Sequence, residues 1–365
     1  MGSIRVLVVD DTIVYRKIVS DVLGQFPDIE VVGTANNGKI ALSRIASLKP
    51  DLVTPDIEMP EMSGIEVLEH LQGQANSPVA VMLSTLTHKG SEMTIRALEL
   101  GAFDFIPKPD EGRMADNMVK VRDALAPIIE GFRRQKEIRE KLKGRVSTGP
   151  EPARPAPRPS LARPGMVSRG RTTPSEIIGI GISTGGPNAL AKMMPLLPKT
   201  LNVPILVVQH MPPMFTQSLA KSLNAKCQLT VKEAVNGEPL VPNTVFIAPG
   251  GKQMKIIAGA DGRTRNIRIT DDPPENSCKP SVDYLFRSIA EHYVGRATGV
   301  IMTGMGSDGT KGLQQMKKNG SIIIAQDKDS CTVYGMPKEP IESGLADVIA
   351  PLDKIAEEIT RTVIK

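Results

Sequence analysis

Three polar side chains in the second half of the chain have the types and settings that acyl-transfer chemistry requires. Gly181-Ile182-Ser183-Thr184-Gly185 fits the G-x-S-x-G spacing, in which flanking glycines let a serine sit on a sharp turn with its hydroxyl exposed. The same turn could instead cradle a phosphate, and the motif alone does not choose between the two. A nucleophilic serine needs a base, and histidine titrates in the right range. Of the four histidines, His70 and His88 lie in the first half and His292 in a helix-like stretch, which leaves His210 in Val207-Val208-Gln209-His210. The carboxylate that would hold its imidazole is Asp308, in the glycine-flanked run Thr303-Gly304-Met305-Gly306-Ser307-Asp308-Gly309. Asp272 and Asp283 are weaker choices, since one reads as loop and the other as helix. The backbone amides of Thr184 and Met305 are the candidate oxyanion donors.

These residues need a scaffold that brings distant positions together, and the apolar runs supply one. Strand-like segments open at Ile177 and recur at 203–208, 244–248, 298–302 and 321–325, with helical patterns between them. That alternation predicts a mainly parallel α/β sheet, whose sites form at the carboxyl ends of its strands. Ser183, His210 and Asp308 each follow such a run. Residues 252–270 read as an inserted hairpin around Ala260-Asp261-Gly262-Arg263.

The first half alternates in the same way, with strand-like runs at 4–9, 29–32, 52–53, 79–83 and 102–106. Asp10 and Asp11 follow the first run, Asp56 the third, Ser84 the fourth and Lys108 the fifth. An acidic pocket with one lysine suits a hard divalent cation such as Mg2+. The motifs VVDD, DIEMPEMSG, MLS and FIPKP resemble the receiver domain of two-component response regulators. That resemblance implies Asp56 as phosphoryl acceptor, Asp10, Asp11 and Asp56 around Mg2+, Ser84 as switch hydroxyl and Lys108 as the cation that contacts phosphate. Pro55 departs from the usual aliphatic residue before the acceptor. It removes an amide donor from a central strand, so an early end or a bulge is expected there, with the acceptor shifted.

Composition bounds the rest. The 365 residues suit two α/β domains, a flavodoxin-like receiver at 1–125 and a Rossmann-like domain at 175–365, joined by a charged helix and linker at 126–174. Residues 144–174 hold seven prolines, six arginines, no lysine and one acidic residue, a net +5 that equals the formal excess of the whole chain. Such a stretch cannot bury enough surface to fold, and the balanced remainder lacks a basic face that tracks phosphates. Nucleic acid is therefore not an expected partner. Cys227, Cys278 and Cys331 show no metal-ligand spacing. No signal or membrane segment is apparent, so a cytoplasmic protein without membrane insertion is expected; a monomer is the expected state.

The order Ser, His, Asp differs from that of α/β-hydrolases, which run Ser, Asp, His. The motifs GISTGGP, VQHMP, IAPGG, PSVDYLF and TGMGSDG resemble the catalytic domain of the chemotaxis protein-glutamate methylesterase family, called CheB. A receiver joined by a linker ahead of such a domain is that family's architecture. The resemblance implies hydrolysis of glutamyl methyl esters on methyl-accepting chemoreceptors and deamidation of their glutamines. It assigns Ser183, His210 and Asp308 to a triad that needs no cofactor, and implies a chemotaxis histidine kinase as phosphodonor. The rival readings are a nucleic-acid-binding output domain, which the second half's many strands disfavour, and a serine esterase or peptidase of other specificity.

Overall fold

In the computed structural model, residues 3–74, 76–109, 113–146 and 173–364 are described. Most of the stretch read as a linker falls outside them. The chain divides into two compact units.

The first unit is built on β1 (Ile4–Val9), β2 (Ile29–Ala35), β3 (Leu52–Pro55), β4 (Val79–Ser84) and β5 (Asp104–Pro107), in the order β2-β1-β3-β4-β5. Every pairing is parallel. This is the flavodoxin-like order, with its switch point beside β1. The inner strands are apolar along their length because helices cover both faces, and β1 and β3 are almost wholly buried. After β5 comes the helix Met114–Val146, which carries Pro127 in its interior.

Pro55 neither ends β3 early nor shifts the acceptor. Leu52 pairs with Val79 and Val53 with Ala80, and the bridge Asp56 to Leu83 keeps the same offset. The amides of Asp56 and Ile57 alternate sides, the first donating to Val9 O at 2.9 Å and the second to Leu83 O at 3.0 Å. Proline therefore removes one bond from the β4 side of the ladder. The bonds on either side of Asp56 hold the register.

The second unit contains β6 (Ile177–Ile182), β7 (Ile205–Gln209), β8 (Thr230–Glu233), β9 (Thr244–Ile247), β10 (Gln253–Ala258), β11 (Arg265–Thr270), β12 (Ala297–Ile301), β13 (Ile322–Gln326) and β14 (Val348–Ala350). A seven-stranded sheet runs β14-β13-β12-β6-β7-β9-β8, all parallel, and β10-β11 is the expected antiparallel hairpin. The strands β8 and β14 escape the sequence reading because they lie at the sheet's edges and are partly exposed, so they lack the continuous apolar run that marks the inner strands.

The central strand β6 is fully buried, and its glycines matter. A Cβ on Gly181 would lie 2.4 Å from Val282 Cγ1. The helix Val282–His292 thus packs closely over β6, which puts its N-terminus at the carboxyl edge of the sheet. Leu285, Phe286 and Ile289 on its apolar face are fully buried against that sheet. Among the described residues no helix is long and apolar enough to cross a membrane.

Candidate functional site

The carboxyl edge of the seven-stranded sheet collects the three residues singled out from their spacing. Ser183 is the first residue beyond β6 and His210 the first beyond β7, and the last pair in register between these strands is Ile182 with Gln209. The two residues are therefore neighbours across adjacent strands, about 4.8 Å apart in the pairing direction. The Ser183 amide donates to Thr303 O at 3.0 Å and the His210 amide to Ile182 O at 3.1 Å, so both backbones remain in the sheet's bonding pattern. The turn beyond the serine closes through Gly186 N to Ser183 O at 2.7 Å, and Gly185 takes a φ of 73° that favours glycine.

Asp308 arrives from the loop between β12 and the helix Thr310–Lys318. Its Oδ2 lies 2.9 Å from His210 Nε2 and accepts the Val282 amide at 2.7 Å. Its Oδ1 accepts from Ser281 Oγ and Asn276 Nδ2, each at 2.9 Å, and from the Asp283 amide at 3.2 Å. The carboxylate thus caps the N-terminus of Val282–His292, where the helix dipole favours negative charge. Burial would raise its pKa, but His210, the Val282 amide and Asn276 outweigh that and bring it down to about 2. Burial also opposes charge on His210, yet its bonds to Asp308 and Cys278 push it up to about 9. The imidazole is thereby fixed with Nε2 toward the carboxylate and Nδ1 toward Cys278 Sγ, 3.7 Å away. Among the described residues Ser183 Oγ has no hydrogen-bond partner, and the amides of Thr184 and Met305 are likewise unpaired. A Cβ on Gly304 would stand 2.7 Å from Ser183 Cβ, so a glycine is needed for the Met305 loop to approach the serine.

The weaker alternatives do not meet the imidazole. Asp272 is exposed and bonded to Tyr284. The buried Asp283 accepts the Gly312 amide and Asn276 Nδ2. Met211 and Met336 are buried whereas Met305 is 45 % exposed. Sequence reasoning missed Asn276, Ser281 and Cys278 as neighbours of His210 and Asp308. Ser281 was findable as a helix N-cap, since its Oγ accepts the Tyr284 amide. Nothing in the local pattern marks Asn276 or Cys278.

In the first unit Asp10, Asp11 and Asp56 offer oxygens within 4.8 Å of one another. Lys108 Nζ lies 2.6 Å from Asp10 Oδ2 and 2.7 Å from Asp56 Oδ2, all three groups being buried. Burial raises Asp56 to about 6 despite Lys108, while the two carboxylates hold Lys108 above its ordinary value against burial. Asp56 Oδ1 is buried and lacks a hydrogen-bond partner among the described residues. A buried, unpaired carboxylate oxygen in an all-oxygen cluster is what a hard cation would satisfy. Ser84 is fully buried, receives Thr94 Oγ1 at 2.6 Å and contacts the Gly90 carbonyl at 3.3 Å.

Comparison with known proteins agrees with this division. The CheB methylesterase family matches residues 178–359, and the response regulator receiver domain matches residues 6–119. A protein of Desulfotalea psychrophila named protein-glutamate methylesterase/protein-glutamine glutaminase is 55% identical over 100% of this chain and 99% of its own length. One of the same name from Bacillus subtilis is 44% identical over 99% of both. The crystal structure of the Thermotoga maritima CheB methylesterase catalytic domain is 44% identical, with a TM-score of 0.50, covering 52% of this chain and 99% of that one. With a relative this similar along its whole length, and with both matched domains in the same order, the chain belongs to the family of receiver-linked CheB protein-glutamate methylesterases/protein-glutamine glutaminases.

Proposed function

We propose that this protein hydrolyses glutamyl methyl esters on chemoreceptors, deamidates receptor glutamines, and is controlled by phosphorylation of its receiver. The observation that carries the chemistry is the His210–Asp308 contact of 2.9 Å beside a serine on the neighbouring strand end. With Nε2 committed to Asp308, His210 Nδ1 is the base. It takes the Ser183 proton as Oγ attacks the ester carbonyl carbon. The Thr184 and Met305 amides then bond the oxyanion. Collapse of the tetrahedral adduct expels methanol, which takes the proton from Nδ1. A water molecule, deprotonated by the same nitrogen, attacks the glutamyl-enzyme, and Nδ1 returns that proton to Ser183 Oγ as the acyl bond breaks. Asp308 stabilises the imidazolium at both stages.

In the receiver, Asp56 is the proposed phosphoryl acceptor, with a histidine kinase as donor. Asp10, Asp11 and Asp56 would hold Mg2+, which supplies charge neutralisation for the incoming phosphoryl group. Lys108, paired with Asp10 and Asp56, would contact that group, and the Ser84 hydroxyl would report it as the switch. Replacing Ser183 with alanine should reduce methanol release from methylated receptor membranes by at least ~10³-fold, the scale set by loss of a triad nucleophile. Undiminished release would overturn the assignment. Comparable turnover of unrelated esters by the unaltered enzyme would instead favour a general esterase.

A further inference from the structure

Cys278 lies beside the catalytic base without being needed for the chemistry above. It ends a turn, Glu275–Cys278, closed by the Cys278 amide to Glu275 O at 2.8 Å and the Glu275 amide to Cys278 O at 3.0 Å. Asn276 and Ser277 in the turn take φ of 51° and 61°. Two bonds of 2.6 Å from Arg287 to Glu275 and the bond from Asn276 to Asp308 anchor the turn. The thiol is therefore held at a defined place rather than on a loose loop.

We propose that Cys278 and His210 form an inhibitory site for a borderline-soft divalent cation of the zinc type. In a tetrahedral zinc site, bonds of about 2.3 Å to sulfur and about 2.0–2.1 Å to nitrogen place those two ligand atoms about 3.6 Å apart. Cys278 Sγ and His210 Nδ1 are 3.7 Å apart, so the pair closes on the ion with almost no movement. The other ring nitrogen already meets Asp308, which reproduces the carboxylate–histidine–metal arrangement that orients an imidazole ligand and strengthens its donation. Asp308 itself takes five donors and serves as that orienting partner, while solvent completes the coordination. The donor set also discriminates: a thiolate and an imidazole select zinc over Mg2+, whereas the all-oxygen cluster at Asp10, Asp11 and Asp56 does the reverse. Cys227 and Cys331 make no histidine contact among the described residues, and burial pushes their thiols up to about 11 and about 12. A metal ion on Nδ1 occupies the lone pair that would otherwise take the Ser183 proton. Metal binding and ester hydrolysis then exclude each other.

The inhibitory consequence rests on the proposed esterase reading, so the test reads binding separately. Cobalt(II) is titrated into the full chain in excess Mg2+, under reducing conditions, and the thiolate-to-cobalt charge-transfer absorption is recorded. One band-forming site, displaced by Zn2+, is expected. Cys278→Ser should remove the band and Cys227→Ser should keep it, with unchanged thermal unfolding as the check on folding. Blocking accessible thiols of the unaltered protein with N-ethylmaleimide should remove the band without any substitution. Zn2+ should inhibit methanol release at least tenfold more weakly in Cys278→Ser. Absence of the band, its persistence in Cys278→Ser, or equal zinc sensitivity of the two proteins overturns the proposal. A band from Cys278 in a protein that releases no methanol would sustain the metal site while overturning the esterase reading.

Discussion

The charge state of His210 is set by its neighbours. With its pKa held near 9, mainly by the Asp308 bond working against burial, the free base is the minor form at neutrality. Methanol release should therefore climb with pH to a midpoint above the ordinary imidazole value of about 6.5. In Asp308→Asn the midpoint should fall and the rate at its plateau should drop, as a pH–rate profile of the two proteins would show. The same pair bears on stability. A histidine whose folded pKa is raised stabilises the fold fully below its unfolded value, and that contribution is lost as pH rises through about 9. Asp308→Asn should thus lower the unfolding temperature more at pH 6.5 than at pH 10. Lys108 offers a second residue-scale test, because it offsets two buried carboxylates. Lys108→Met should cost the receiver roughly 3–5 kcal/mol, the scale of a buried ion pair broken from one side. Denaturant unfolding with and without Mg2+ measures the loss, and the cation should restore part of it.

Among the elements, the helix Val282–His292 and strand β6 set the site's geometry together. The helix N-terminus supplies Val282 and Asp283 amides and the Ser281 hydroxyl to Asp308. Its approach depends on the lack of a side chain at Gly181, which faces Val282 and Ile301. Gly181→Ala should push the helix outward and destabilise the unit by about 1–3 kcal/mol, the usual cost of overpacking. The displaced Asp308 should lower kcat more than it raises KM. A crystal structure with the helix in place, together with unchanged kinetics, would break the proposed link between packing and chemistry.

At the scale of the whole molecule, the proposed phosphorylation of the receiver should stimulate the catalytic unit. Asp56→Asn should leave basal methanol release intact and abolish its stimulation by a small phosphodonor with Mg2+. The asparagine keeps the shape and the backbone bond to Val9 O while removing the nucleophilic oxygen. Stimulation that survives the substitution would place the acceptor elsewhere.

Residue order alone carried much of this protein. Runs such as Ile177–Ile182 and Val203–Val208 mark buried strands because parallel strands covered on both faces are apolar throughout, and the polar residues after them mark the sheet's functional edge. Ser183, His210, Asp308 and the receiver's Asp10, Asp11, Asp56 and Lys108 were legible for that reason. The strands β8 and β14 were not, because edge strands are partly exposed and lack that continuous apolar run. Pro55 misled, since a proline is costly only where its missing amide would have bonded, and the neighbouring bonds of Asp56 and Ile57 suffice to hold the register. Tertiary structure alone decided which carboxylate meets the imidazole and which nitrogen faces Cys278. It also brought Asn276, Ser281 and Cys278 to residues 210 and 308, contacts between positions 27 to 68 residues apart that are fixed by strand order and helix packing. Local pattern records which face a side chain takes, whereas only the assembled sheet determines what it meets there.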